Sequence, residues 1–272
     1  GFELDLTYLI FNQKNFTWDV NLNATFIKNK INKLHPDLDG QLIDGNYIYE
    51  EGESMYRMYL VDYAGVDPET GLAQYWAKDD KGELYKTDNY ALAQTTNKVA
   101  TDNLMPKVYG GLGTSVQLYG FDASIQLSYQ LGGKIYDTGY RRLMHGGASS
   151  SAGWNWHKDI YNAWTPENPT SDIPAATNSS SNRVISSRII EDGSYLRLKN
   201  VTVGYTFPAK LVKKWKIDKA RVYVAAQNLW TCTGYSGYDP EVSTMSNAMT
   251  PGVDFGAYPR SRSFVFGVNV AF

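Results

Sequence analysis

The chain has 272 residues, with 26 Lys and Arg against 28 Asp and Glu, so its formal net charge of −2 carries no basic footprint for nucleic acid. A single cysteine excludes an internal disulfide framework and a cysteine-rich zinc site, and no apolar run reaches the roughly 18 residues of a membrane-spanning helix. A mean hydropathy of −0.40 does not exclude a membrane β-barrel, in which only every second strand residue meets lipid.

The opening residues, Gly1-Phe-Glu-Leu-Asp-Leu-Thr-Tyr8, are already in strand rhythm, with no initiator Met, basic segment or apolar leader core. They read as part of a longer chain. Phe2, Leu4, Leu6, Tyr8 and Ile10 share one parity of a first strand over residues 1–11. A polar turn at Asn12–Asn15 leads to a second strand over residues 16–26. Its Phe16, Trp18, Val20, Leu22, Ala24 and Phe26 oppose Thr17, Asp19, Asn21, Asn23 and Thr25. A soluble sandwich would place the first set in a core and the second in water. A barrel would place the first in lipid and the second in a wet lumen. The strand approaches the ~9–11 residues that span a bilayer and exceeds the ~5–6 of common sandwich strands.

Residues 28–106 read as a long irregular region, punctuated by turn signals such as Asp37-Leu-Asp-Gly40, Asp44-Gly45, Asp67-Pro-Glu-Thr-Gly71 and Asp79-Asp-Lys-Gly82. A third strand over 107–119 and a fourth over 121–131 flank a tight Tyr119-Gly120 turn. The fourth repeats the design of the second, with Phe121, Ala123, Ile125, Leu127, Tyr129 and Leu131 on one face. A second long region, 132–193, carries Trp154, Trp156 and Trp164, and a polar tract over 177–182 whose composition predicts mobility. A fifth strand over 195–207 slips phase at Lys199-Asn200, which predicts a β-bulge. A basic turn over 208–219 has the pattern of a single helical turn. The sixth strand, 220–231, is ambiguous in facing. A third long region, 232–260, precedes a final strand with Phe264, Phe266, Val268, Val270 and Phe272 on one parity.

The connections sort into two kinds. Those after the first, third and fifth strands are short; those after the second, fourth and sixth are long. In an up-and-down sheet this gathers turns at one end and loops at the other, the pattern of outer-membrane barrels. It also directs the last strand from Arg260 at the loop end to Phe272 at the turn end. An odd number of strands points to further strands upstream, because single-chain bacterial barrels are even.

Asp192-Gly-Ser-Tyr-Leu-Arg-Leu-Lys-Asn-Val-Thr-Val-Gly-Tyr205 resembles the signature of the SusC/RagA family of TonB-dependent outer-membrane transporters. So do Gly65-Val-Asp-Pro-Glu-Thr-Gly71, Ala220-Arg-Val-Tyr-Val-Ala-Ala-Gln-Asn-Leu229, Tyr235-Ser-Gly-Tyr-Asp-Pro-Glu241 and the ending from Tyr258 to Phe272. The resemblance implies an all-β fold, the last ~7 strands of an antiparallel transmembrane β-barrel of about 22 strands. Extracellular loops would lie at about 28–106, 132–193 and 232–260, with the plug domain outside these residues. It implies TonB-dependent import of glycans or peptides at the bacterial outer membrane. The partners it implies are a SusD-like surface lipoprotein on the loops, the lipid bilayer, and a TonB complex reached only through the missing amino-terminal part. Phe264, Phe266 and Phe272 would form the barrel-assembly signal, as in similar barrels.

No catalytic constellation, metal site or cofactor motif emerges, so the chain reads as no enzyme. His35, His145 and His157 lie far apart in loops and read as exposed. Cys232 reads as a packed thiol at a strand end. The Asp37-Leu-Asp39 and Asp79-Asp80 runs read as solvated turns rather than calcium loops. Gly110-Gly-Leu-Gly113 enters a strand, where glycine admits a close neighbour on the lumen side. Phe16, Tyr119 and Phe207 would form an interfacial girdle, with Lys213 and Lys214 facing lipid phosphates or the periplasm. The candidate cargo contacts are Trp154, Trp156, Tyr235 and Tyr238, whose rings suit the face of a sugar or a peptide; packing between loops or against the lid is the competing role. Asp239, before Pro240, reads as a turn former. Two other readings fit the alternation: a secreted all-β carbohydrate-binding module, and a passive porin or adhesin barrel.

Overall fold

Alternation at period two is realised as one antiparallel sheet. The computed structural model describes residues 1–147, 151, 153–177, 183–242 and 251–272; residues 178–182 of the polar tract lie outside the described residues. Among these, seven strands pair in chain order: β1 (Phe2–Gln13), β2 (Phe16–Phe26), β3 (Val108–Leu118), β4 (Phe121–Leu131), β5 (Tyr195–Thr206), β6 (Lys219–Thr233) and β7 (Ser263–Ala271).

The register makes the sheet two-faced. One row of partners reads Tyr8, Val20, Thr114, Ile125, Val201, Ala226, Phe264. The adjacent row, on the opposite face, reads Thr7, Asn21, Gly113, Gln126, Asn200, Gln227, Ser263. The apolar face stays exposed, with Phe266 at 78% and Val268 at 67%. An apolar surface of this extent is what a lipid-facing wall presents. The hydroxyl in its row is satisfied internally: Thr114 donates to the Asp19 carbonyl and accepts from the Trp18 indole, both at 2.9 Å.

The turns gather at one end. Lys14-Asn15 joins β1 to β2, and Tyr119-Gly120 joins β3 to β4. Tyr119 (φ 48°) and Gly120 (φ 92°) both take the left-handed conformation that two-residue hairpins favour. Tyr119 N–H donates to the Asn15 carbonyl at 3.0 Å, and Thr206 N–H to that of Gly120 at 2.7 Å, so the turns abut. The basic turn forms a single helical turn, Ala209–Val212, continued by a 3-10 turn, Lys213–Trp215.

The bulge at Lys199 is present: Leu198 pairs with Leu127 and Asn200 with Gln126. A matching slip in β6, centred on Asn228 (φ 52°), settles the facing of that strand. Val222, Val224 and Ala226 face outward, followed after the slip by Trp230 and Cys232. Cys232 is therefore exposed opposite Leu196, not packed, because the slip carries it to the outward parity. A slip between Leu9 and Phe11 also removes Ile10 from the outward row and puts Phe11 there, against Phe16 and Trp18.

The glycine run serves both faces. Gly111 and Gly113 lie beneath the side chains of Asn23 and Asn21 on the polar face, as expected. Gly110 points to the apolar face, where a Cβ would run into the Asn23 backbone carbonyl and the Tyr129 hydroxyl. That carbonyl cannot rotate away, whereas the Asn23 amide over Gly111 can. Gly110→Ala should therefore cost about 1–3 kcal/mol and Gly111→Ala clearly less. Urea midpoints of the full-length receptor in lipid check this; a wild-type midpoint for Gly110→Ala would refute it. Gly204 plays a similar part on the polar face. It leaves room for the Arg221 guanidinium to cross from β6 and pair with Asp122 on β4, Nε to Oδ1 at 2.8 Å.

The long regions are not irregular. Residues 28–106 contain a hairpin (Gln41–Asp44 with Tyr47–Glu50), a strand pair (Tyr59–Val61 with Lys98–Ala100), a meander from Tyr63 to Thr87 and a helix, Tyr90–Thr96. The apolar core sits in this loop layer, outside the wall. Met58, Leu60 and Leu104 pack with Tyr136 and Ile189 from the second region and Val253 from the third. A second cluster, Val61, Ala73, Tyr75, Ala77 and Ala93, lies within the first region.

Candidate functional site

The loop layer is stitched by three short segments. Lys134–Asp137 pairs antiparallel with Ile190–Asp192 and parallel with Val253–Asp254. Two carboxylates follow from these strand ends. Asp137 caps the helix Thr138–Leu143, its Oδ1 accepting from Tyr140 N–H at 2.7 Å. Asp254 accepts from the backbone N–H groups of Gly256 and Ala257 through Oδ1 (2.6 and 2.8 Å) and from the Tyr235 hydroxyl through Oδ2 (2.6 Å). The Thr138 hydroxyl donates to the Asp254 carbonyl.

These groups floor an open cavity of about 530 Å³. Its walls include Tyr140, Arg142, Trp154, His157 and Tyr238. Guanidinium groups of Arg142 and Arg183 lie 6.0 and 5.7 Å from the Trp154 ring centre and fix its plane. Burial is the main cause that raises the Asp137 carboxyl above the usual range, against the lowering effect of its Tyr140 and Tyr235 hydrogen bonds. Burial and Asp254 push the Tyr235 hydroxyl up, so it remains a donor. Burial pushes Tyr140 up to about 12. The cavity thus offers flat aromatic surface above a floor of fixed polar groups, a combination suited to holding an amphipathic ligand. Among the described residues no group of three or more His, Cys, Asp or Glu converges as a metal site.

The structure divides the aromatic candidates. Trp154 and Tyr238 line the cavity. Tyr235 is buried beneath its floor. Trp156 lies apart, donating its indole N–H to His145 Nδ1 at 3.2 Å. His145 is buried, contrary to expectation, and of the three histidines only His35 is well exposed. All three share a local role that explains their loop positions: Nδ1 accepts the backbone N–H two residues on, at Asp37, Gly147 and Asp159. Asp79 likewise closes its turn, accepting from Lys81 and Glu83 N–H. Phe264 and Phe266 lie on the outward face against Ala226 and Val224, and Phe272 is exposed at the turn end.

One constellation escaped the sequence reading. Arg197 projects from the polar face of β5 and is 3% exposed. Its Nη2 lies 2.5 Å from Asp239 Oδ1, and its Nη1 2.8 Å from Glu241 Oε2. Arg260 approaches both carboxylates and Lys199 approaches Glu241, and the Tyr195 hydroxyl donates to Glu241 at 2.9 Å. Asp239 does form the turn its position suggested, accepting from Glu241 N–H at 2.9 Å. Burial would raise its carboxyl, but the hydrogen bonds of Arg197 and Glu241 N–H hold it below the usual range. The third long region is thereby clamped to the wall by Arg197 and to the cavity floor by Tyr235. The available signal was an arginine on the polar parity of a strand together with the Asp239-Pro-Glu241 acid pair.

No family model matches the chain. It is 31% identical over 292 aligned residues to TonB-dependent receptor P3 of Formosa agariphila, covering 100% of this chain and 28% of that protein. It is 27% identical over 277 residues to TonB-dependent receptor SusC of Bacteroides thetaiotaomicron, covering 95% of this chain and 25% of SusC. Among solved structures, the RagAB peptide transporter matches with a TM-score of 0.81 at 27% identity, over 99% of this chain and 29% of that one. The chain thus spans between 25% and 29% of the length of these relatives. Sequence likeness along the whole chain, joined to a two-faced wall that superposes on a barrel transporter, places this chain in the SusC/RagA family of TonB-dependent receptors.

Proposed function

We propose that these residues form the carboxyl-terminal wall and extracellular loops of an outer-membrane importer driven through TonB. In this reading β1 and β7, the two edges of the described sheet, pair with the rest of a closed barrel. The loops within 28–106, 132–193 and 232–260 face outward beneath a SusD-like lipoprotein lid. Phe264, Phe266 and Phe272 serve as the assembly signal. The apolar row from Tyr8 to Phe264, beside the polar row from Thr7 to Ser263, is the observation that carries the wall. A carbohydrate-binding module in water would have to cover that apolar face. A full-length receptor that stays monomeric and folded in plain buffer would refute the membrane reading.

The cavity over Asp137 and Asp254 is assigned to cargo, a glycan or peptide held against Trp154 and Tyr238. RagAB, which this chain resembles, is described as a peptide transporter. Trp154→Ala and Tyr238→Ala in the full-length receptor should each weaken cargo binding roughly 10-fold, the scale of one lost aromatic anchor. Trp156→Ala should leave it near wild type, because that ring packs on His145 outside the cavity. Calorimetric titration with cargo recovered from the native complex measures both. A Trp156 effect equal to that of Trp154 would remove the cavity from the binding path.

A further inference from the structure

We propose that the β5–β6 connection, residues 207–218, is an interfacial anchor. Leu211 and Trp215 enter the headgroup region of the phospholipid leaflet at the turn end, and Lys210, Lys213, Lys214 and Lys216 hold its anionic phosphates. The inference rests on the membrane-wall reading above.

The segment is fixed to the wall. Phe207 N–H donates to the Ala220 carbonyl at 2.9 Å and Asp218 N–H to that of Ala271 at 2.8 Å, closing its neck at the rim where the turns abut. Val212, 2% exposed, packs inward, and Lys216 (φ 61°) ends the helical turn in the left-handed conformation. Despite this anchorage, its largest apolar groups point away from the protein. Leu211 is 50% exposed and Trp215 70%. Both stand out from the short helical segment whose Val212 is buried. An apolar surface runs to the neck of the segment, since Phe121 contacts Tyr205 and Tyr205 contacts Phe207, with ring centres 4.6 and 5.2 Å apart at the same rim. Tryptophan at the boundary between lipid and water is placed there by its apolar ring and polar N–H.

The charge around this apolar pair selects the partner. Lys210, Lys213, Lys214 and Lys216 are exposed, and among the described residues no salt bridge joins them to a carboxylate. Asp218 is the one acid between Pro208 and Lys219. Long lysine stems lie along apolar surface while the ammonium reaches the phosphate level, and clustered lysines beside an interfacial helix are attracted by an anionic leaflet.

The test uses the full-length receptor with Cys232 and any other cysteine replaced by serine. A bimane label is placed at Leu211→Cys or, as a wall control, at Val203→Cys. The receptor is reconstituted in phosphatidylcholine nanodiscs, with or without phosphatidylglycerol, using lipids brominated near the headgroup or near the chain terminus. The label at 211 should be quenched more by the shallow bromines than by the deep ones. Adding phosphatidylglycerol should deepen that quenching about twofold, and replacing Lys210, Lys213, Lys214 and Lys216 by Gln should abolish the increase. Quenching at 203 without quenching at 211 overturns the anchor and leaves the wall reading intact, the connection then facing the aqueous side or a soluble partner. Quenching at 211 that ignores phosphatidylglycerol overturns the phosphate contact. Absence of quenching at both positions overturns the wall reading itself.

Discussion

Arg197→Met in the full-length receptor is expected to undock residues 234–242 from the wall, at a cost of about 3–5 kcal/mol to that docked state. The side chains of Arg197 and Asp239 are 3% and 5% exposed, so removing the guanidinium strands a carboxylate away from water. Arg260 cannot replace it, because its Nε is 3.6 Å from Asp239 and half-exposed. Hydrogen exchange of the 234–242 backbone should rise sharply, and Arg197→Met combined with Asp239→Leu should recover much of the loss, because neither charge is then left alone. Unchanged exchange in Arg197→Met would show that the clamp contributes nothing. The pH dependence follows in sign. A carboxyl held low in the folded state contributes stability above its unfolded pKa and loses it as pH falls through the folded value. Wild-type docking should therefore hold at neutral pH and weaken only below the ordinary carboxylate range. In Arg197→Met, with burial left to raise Asp239, the sign reverses: docking should be weakest at neutral pH and recover as pH falls and the buried carboxyl takes up its proton.

Ile125→Arg is expected to cost about 2–4 kcal/mol in a bilayer, and Gln126→Arg far less. The two residues are adjacent on β4, so the backbone perturbation is shared and the difference reads the face alone. Ile125 pairs with Thr114 and Val201 in the apolar row, and Gln126 with Gly113 and Asn200 in the polar one. Leu22 and Asn21 form a comparable pair on β2, but Asn21 lies over Gly113, where an arginine would also disturb packing. Gln126 is the cleaner control. Urea titration in lipid, or the fraction assembled in the outer membrane, measures the contrast. Equal damage at both positions would sink the assignment of faces.

Much of the wall was legible because its signal is local. Most strands carry their facing in their own alternation, β6 excepted, and Lys199 betrayed its bulge as a phase slip within a dozen residues. The short turns were equally plain, since a tight Tyr119-Gly120 pair between two alternating runs reads as a two-residue hairpin. The loop layer was not. Its strands are as short as Tyr59–Val61, too short to show a period, and the partner of that one, Lys98–Ala100, lies far away in the chain. The split of the aromatic candidates followed the same line: Trp154 and Trp156 are two residues apart, yet one lines the cavity and the other covers His145.

By itself, then, the sequence determined the parity of most strands, the sorting of turns from loops and the direction of the last strand, all of them consequences of period-two geometry and connection length; the bulges in β1 and β6 were settled only by pairing. The tertiary structure alone decided which loops meet. Met58, Tyr136 and Val253 share one core, and Arg197 clamps Asp239 from 42 positions away. Burial in that layer turns Asp137 and Tyr235 from solvated groups into fixed parts of the candidate site, and fixes His145 beneath Trp156 outside it. Packing across such separations leaves no periodic mark on the chain, because it depends on the fold of three distant regions at once.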